Sequence, residues 1–220
     1  MSKAFDPKCS FKLSHYEYCL RSAKEKGYSF ALMRDHKKGP AEKVIFLRHD
    51  VDSDPILALN FSEIEKKLGI TATYFFRVHS KDNLFSLDNY RVIKRIMKDG
   101  HEIGLHAETD IASLVDEQAL PMLSRGKTVL EAVMGRKISG VSMHEPTRSM
   151  KRLRKSDIEG LGFKYDAYDA RFLERLKYIS DSSCRWREGC MCNFINAGVP
   201  RLYILTHPVW WFKQSPIENY

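Results

Sequence analysis

Two aspartates and three histidines carry the chemical content of this sequence: Asp50 and Asp52 in R-H-D-V-D, His106 closing G-H-E-I-G-L-H, His144 in M-H-E-P and His207 in I-L-T-H-P. Each follows a short apolar run. Asp50 and Asp52 stand two residues apart, so extended backbone points both side chains the same way, near enough to serve one ion or one proton. Two histidine nitrogens plus a carboxylate, with a position left for water, is the donor set of a catalytic zinc or related divalent ion, which lowers the pKa of bound water and polarises a carbonyl. A single histidine is explained by a core or surface position. Acid and imidazole groups after four apolar runs point to a shared metal site.

The elements that must position these residues follow from periodicity. V-I-F-L at 44–47 is a strand buried on both faces, and the helix after it needs a cap from Asp52, Ser53 or Asp54. Helices are predicted over 14–26, 55–68 and 87–99, the last two stopped by Gly69 and Gly100, and a long helical region is predicted to break at Pro121. Another helix starts near Arg148. Strands are predicted over 72–78, 101–106, 140–144, 163–165, 177–180 and 201–206, with a linker at 34–40. About seven strands alternating with helices imply a parallel sheet or a compact, incomplete barrel, and either fold gathers its strand ends on one face.

With 220 residues, 43% of them hydrophobic, the chain can bury a sizeable core as a single domain over 1–220. Lysine and arginine outnumber acidic residues 36 to 28, a net charge of +8. The charge is spread over helical faces, which argues against nucleic acid as a partner. No apolar stretch reaches the ~18 residues of a membrane span. The N-terminal M-S-K-A-F-D-P-K has no apolar core of a signal peptide, so a cytoplasmic location is expected. The five cysteines are then expected as thiols rather than disulfides. Cys9 and Cys19 look incidental, and Cys184, Cys190 and Cys192 lack the paired C-x2-C knuckles of a structural zinc site.

In this order, R-H-D-V-D, G-H-E-I-G-L-H and L-T-H-P resemble the motifs of NodB-like polysaccharide deacetylases, the carbohydrate esterase family 4-like superfamily, across residues 43–210. The resemblance implies an incomplete, distorted (β/α)7 barrel of the NodB-homology type. It also implies metal-dependent removal of N-acetyl groups from sugars, with an aspartate base and a histidine acid. Asp50 falls on the general base, while the metal-binding aspartate is displaced by one position onto Asp52, which marks a divergent branch. His106 falls on the first histidine ligand. Asp110 stands where the second histidine is common, and His144 stands where an arginine often precedes the proline, so His144 is preferred over Asp110 as the third ligand of a divalent metal, zinc by preference. His207 falls on the proton donor to the leaving amine. Asp181, Trp186 and Trp210, with Trp211 beside it, are substrate-binding candidates, whereas His101 and Glu102 match the motif but sit at the far end of their strand and shape the fold. The expected substrate is an N-acetylated sugar, nucleotide- or lipid-linked, of surface polysaccharide or lipopolysaccharide biosynthesis. Two alternatives stand beside it: a hydrolase of a non-sugar amide or cyclic imide, and a catalytically inactive carbohydrate-binding protein.

Overall fold

All eight residues of the strand Val44–Val51 are buried, because it lies in the middle of a parallel sheet with helices outside and packed side chains inside. A computed structural model describes residues 9–37, 42–108, 118–145 and 154–219 of the chain. In it, α1 (Leu13–Glu25) leads into β1 (Ser29–Ala31) and β2 (Val44–Val51), and α2 (Pro55–Lys67), β3 (Thr73–Arg77), α3 (Leu87–Lys98) and β4 (Glu102–Ala107) follow. After these come α4 (Ala119–Met134), β5 (Gly140–Met143), α5 (Lys155–Gly160), β6 (Tyr165–Asp166), α6 (Ala170–Leu173), β7 (Lys177–Ser180), α7 (Met191–Asn196) and β8 (Arg201–Thr206). The strand order is β6-β5-β4-β3-β2-β8-β7, with β1 added on β2, and every pairing is parallel. Among the described residues no pairing joins β6 to β7, so the sheet curls into an incomplete, distorted β/α barrel, as the motifs implied.

Alternation along β2 sorts its side chains between two layers. Val44 and Phe46 point into the barrel against Phe75, Tyr165, Phe172 and Tyr203, while Ile45, Leu47 and Val51 face the outer helices. Arg48 and Asp50 share the inward phase. His49 points outward, where its ring meets Glu65 and Phe61 of α2. The inner layer is so full that two positions admit no side chain. A Cβ on Gly104 would lie 2.5 Å from Phe75 Cε1 and 2.9 Å from the Gly140 carbonyl, and one on Gly140 would meet the Tyr165 ring.

Several expectations shift. Pro121 does not break α4; it is the third residue of that helix, where the N–H it lacks has no intrahelical partner. The strand expected at 163–165 begins two residues later, as the two-residue β6. The helix expected near Arg148 falls on residues 146–153, outside the described residues, and the described helix there is α5. β1 was not foreseen, being only three residues long.

Candidate active site at the strand ends

β2 delivers Asp50 and Asp52 to the C-terminal edge of the sheet. The cap of α2 comes from Asp54, whose side chain accepts from Ile56 N (3.0 Å) at a left-handed φ of 41°, which releases Asp52 from that task. The parallel neighbours bring up the histidines. His106, on β4, reaches Asp52 Oδ1 with Nε2 at 3.0 Å and Asp50 Oδ2 at 3.8 Å, and its Nδ1–H donates to the Ser142 carbonyl at 3.1 Å. That second bond orients the ring and turns Nε2 toward the two carboxylates. His144 follows β5, held by its backbone N–H on the Ala107 carbonyl (2.8 Å), with Nε2 3.9 Å from Asp52 Oδ1.

One ligating atom from each of Asp52, His106 and His144 lies within 4.8 Å of the others. Asp52 Oδ1 is buried with only the His106 ring against it and His144 Nδ1 is buried without a partner, an arrangement of donor atoms that a cation between them would satisfy. A carboxylate oxygen with two imidazole nitrogens is a donor set that fits zinc. Asp110 lies outside the described residues.

Asp50 is held differently. Arg48, wholly buried beside it, donates from Nε to Oδ1 (2.8 Å) and from Nη2 to Oδ2 (2.5 Å), and reaches Tyr203 OH (2.9 Å) and Ser142 Oγ with its remaining donors. Its guanidinium lies over the Tyr168 ring, 4.4 Å from the centroid. Burial alone would raise the Asp50 pKa, but the charges of Arg48 and then His106 outweigh it and hold the carboxyl well below the usual carboxylate range. Asp52 is lowered too: burial opposes, and the His106 contact prevails.

His207 follows β8 and closes the site. Its backbone N–H and ring Nδ1 both bond to Asp181, the ring at 2.6 Å, and Trp211 Nε1 donates to the second oxygen of Asp181 at 2.8 Å. Burial pulls the imidazole pKa down, but Asp181 overrides it and, with Asp50 and Asp52, raises it to about 9. The ring is therefore an imidazolium at neutral pH, its Nδ1–H spoken for and its Nε2–H available to give.

Asp181, expected to meet substrate, is completely buried beneath His207, where its carboxylate accepts from that ring and from the Trp211 indole. Trp186 and Trp210 are partly buried with indole N–H groups unpartnered, and Trp186 stacks on Phe11 at 6.2 Å within an aromatic cluster that includes Trp211. Trp211 is core. His49, inside the first motif, faces away and bonds to Thr206 Oγ1 and Glu65 Oε1, both at 2.7 Å; Tyr16 and Tyr74 donate to the same Glu65. His101 and Glu102 lie at the opposite end of β4, His101 accepting from Ala72 N and Glu102 from Thr73 Oγ1, in keeping with a structural part. Sequence reasoning missed Arg48, Ser142 and the Arg77–Glu108 ion pair beside the Asp52 carbonyl. The only advance signal for Arg48 was its place directly after the apolar run V-I-F-L.

No protein-family model matches the sequence, and no curated protein does. Solved structures do. A CE4 family pseudoenzyme from Bacillus anthracis is 18% identical with a TM-score of 0.54, the match covering 77% of this chain and 56% of that one, so the chain spans little more than half of that protein. The chitin deacetylase of the fungal pathogen Colletotrichum lindemuthianum is 18% identical at a TM-score of 0.54, covering 80% and 78%. A Streptococcus pyogenes deacetylase in complex with acetate is 15% identical at 0.52, covering 94% and 84%. Among the described residues no helix is long and apolar enough to cross a membrane.

Proposed function

We propose that this chain, which has the polysaccharide-deacetylase fold, is a metal-dependent hydrolase that removes an N-acetyl group from a sugar. The observation that carries the reading is the convergence of Asp52, His106 and His144 around buried donor atoms, in a site that also holds an imidazolium at His207. A divalent ion bound there, zinc by donor chemistry, would polarise the acetamide carbonyl and lower the pKa of the attacking water. The chain's own groups do the rest. Asp50, kept ionised and fixed in place by Arg48, accepts the water's proton. His207 gives its Nε2 proton to the leaving nitrogen, and Asp181 holds the ring in the orientation and charge state that this needs. Trp186 and Trp210 offer aromatic faces for a sugar ring. The net charge of +8 suits a substrate carried on an anionic nucleotide or lipid, as in surface-polysaccharide or lipopolysaccharide assembly.

A second reading, a binding protein without turnover, is favoured by one feature: both oxygens of Asp50 are taken by Arg48, and a carboxylate so acidic is a weak base. Acetate release from nucleotide-linked N-acetylated sugars, with small acetyl esters and cyclic imides alongside, separates the two. His207→Ala and the double change Asp52→Ala with His106→Ala should each lose about 10²- to 10⁴-fold or more of the activity, the latter with one metal ion per chain. If no compound is turned over while a glycan binds equally to wild type and His207→Ala, the chain is a binding module.

A further inference from the structure

Four of the five cysteines, scattered over the sequence, meet in the structure. Cys9 precedes α1, His15 and Cys19 lie one turn apart on its inner face, and Cys190 and Cys192 sit at the start of α7. All five side chains are buried. Cys9 Sγ is 3.4 Å from Cys192 Sγ, and His15 Nε2 is 3.2 Å from Cys190 Sγ and 3.5 Å from Cys19 Sγ. The ligand atoms of Cys9, His15, Cys190 and Cys192 all lie within 4.8 Å of one another.

These separations are close to those a tetrahedral ion demands, since metal–sulfur bonds of about 2.3 Å set neighbouring ligands roughly 3.7 Å apart. A dry cluster of thiols is ordinary core packing, but an imidazole nitrogen aimed into the cluster is not. We propose that Cys9, His15, Cys190 and Cys192 bind a structural zinc ion. Three soft thiolates and one imidazole select such an ion and fill its coordination, leaving no place for water, in contrast to the oxygen- and nitrogen-rich site at the strand ends. Binding releases three thiol protons, so the filled site carries one net negative charge. Cys19 packs on His15 as a neighbouring sulfur, and Cys184, which is exposed, lies outside the cluster.

The ion would tie residues 9–15 to residues 190–192, ligands separated by up to 183 positions, and so fix α1 against α7. α1 carries Tyr16, which reaches Glu65 and His49 behind the strand that bears Asp50, and Phe11 just ahead of it stacks on Trp186 and meets Trp211 edge-on, next to Asp181. The knot thus braces the wall against which His207 is set.

The test is metal content and the cobalt spectrum of protein purified without chelator. Wild type should hold two zinc ions per chain. Cys190→Ser with Cys192→Ser removes one, and Asp52→Ala with His106→Ala removes the other, so failure at one site is read independently of the other. Cobalt-substituted protein should show sulfur-to-cobalt charge-transfer absorption that survives Asp52→Ala with His106→Ala and vanishes in the cysteine variant. Should that variant not fold, wild type alone decides: under native conditions a thiol reagent should modify Cys184 at once and the other four only after a strong chelator is added, which also lowers the melting temperature by at least about 5 °C. A cobalt spectrum without charge-transfer bands, four thiols open to reagent before chelation, or an intact mass short of two hydrogens from a Cys9–Cys192 disulfide would each overturn the proposal.

Discussion

At Asp50 the two-residue spacing with Asp52 was legible from the sequence, because strand periodicity alone sends both side chains inward. What surrounds Asp50 was not. Its clamp, Arg48, stands in the motif R-H-D-V-D with no local sign of burial, yet it is buried, and its other partners Ser142 and Tyr203 lie 94 and 155 residues away, a distance no local pattern spans. Asp50 is accordingly structural as well as chemical: Asp50→Asn would leave a buried guanidinium without its counter-charge. The same logic applies in reverse. Arg48→Met should destabilise the fold by about 3–5 kcal/mol in urea titration, because it strands a buried carboxylate. It should also raise the Asp50 pKa, since burial is then opposed only by His106 and His207, so that the acid limb of the kcat/KM profile moves to higher pH. A limb that stays put in Arg48→Met would mean that Asp50 is not the group whose ionisation limits catalysis.

At the scale of elements, most of the sheet was readable because β2, β3, β4 and β8 hold apolar runs, with Gly69 and Gly100 ending the helices ahead of β3 and β4. The failures have physical causes. Pro121 is harmless in the first turn of α4, and β1 and β6 are too short to carry a period. The glycines inside β4 and β5 gave no local sign of their purpose, which is to make room across the barrel for Phe75 and Tyr165. Gly104 shares its inward phase with His106, two residues on. Gly104→Ala should therefore cost about 1–3 kcal/mol in thermal or urea unfolding and weaken metal binding at the strand ends, because the shift of β4 carries His106 with it. Shrinking the obstacle, with Phe75→Leu added, should recover part of the loss, a coupling expected only of residues in contact. Wild-type melting in Gly104→Ala would mean that Phe75 yields freely and the inner layer is looser than its packing suggests.

Across the whole molecule, residues far apart in sequence are joined: Leu13 N bonds to the Phe212 carbonyl and Phe212 N to the Phe11 carbonyl, which places the His207 turn and the start of α1 in one unit. The buried charges of the barrel then govern stability as a set. Asp50, Asp52 and Glu65 have lowered pKa values, so the stability they contribute is present above the ordinary carboxylate range, about 4, and is lost as pH falls through their folded values. Glu102, raised by burial, acts in the opposite sense with rising pH. His207 governs the alkaline side. Its folded pKa of about 9 lies above the ordinary histidine value of about 6.5, so its contribution is complete below 6.5 and disappears as pH rises through 9, a change on the order of 3 kcal/mol. Metal-free wild type, melted in chelator across this interval, should lose stability steadily from near-neutral to pH 9 and then level off. Asp181→Asn removes the largest of the charges that raise the imidazole and leaves Asp50 and Asp52, so its melting temperature should be lower at neutral pH and fall less over the same interval, and the alkaline limb of its turnover should move toward neutrality. Parallel wild-type and Asp181→Asn curves would place the alkaline loss on some other group and deprive His207 of its protonated state at neutral pH, the state its role as proton donor requires.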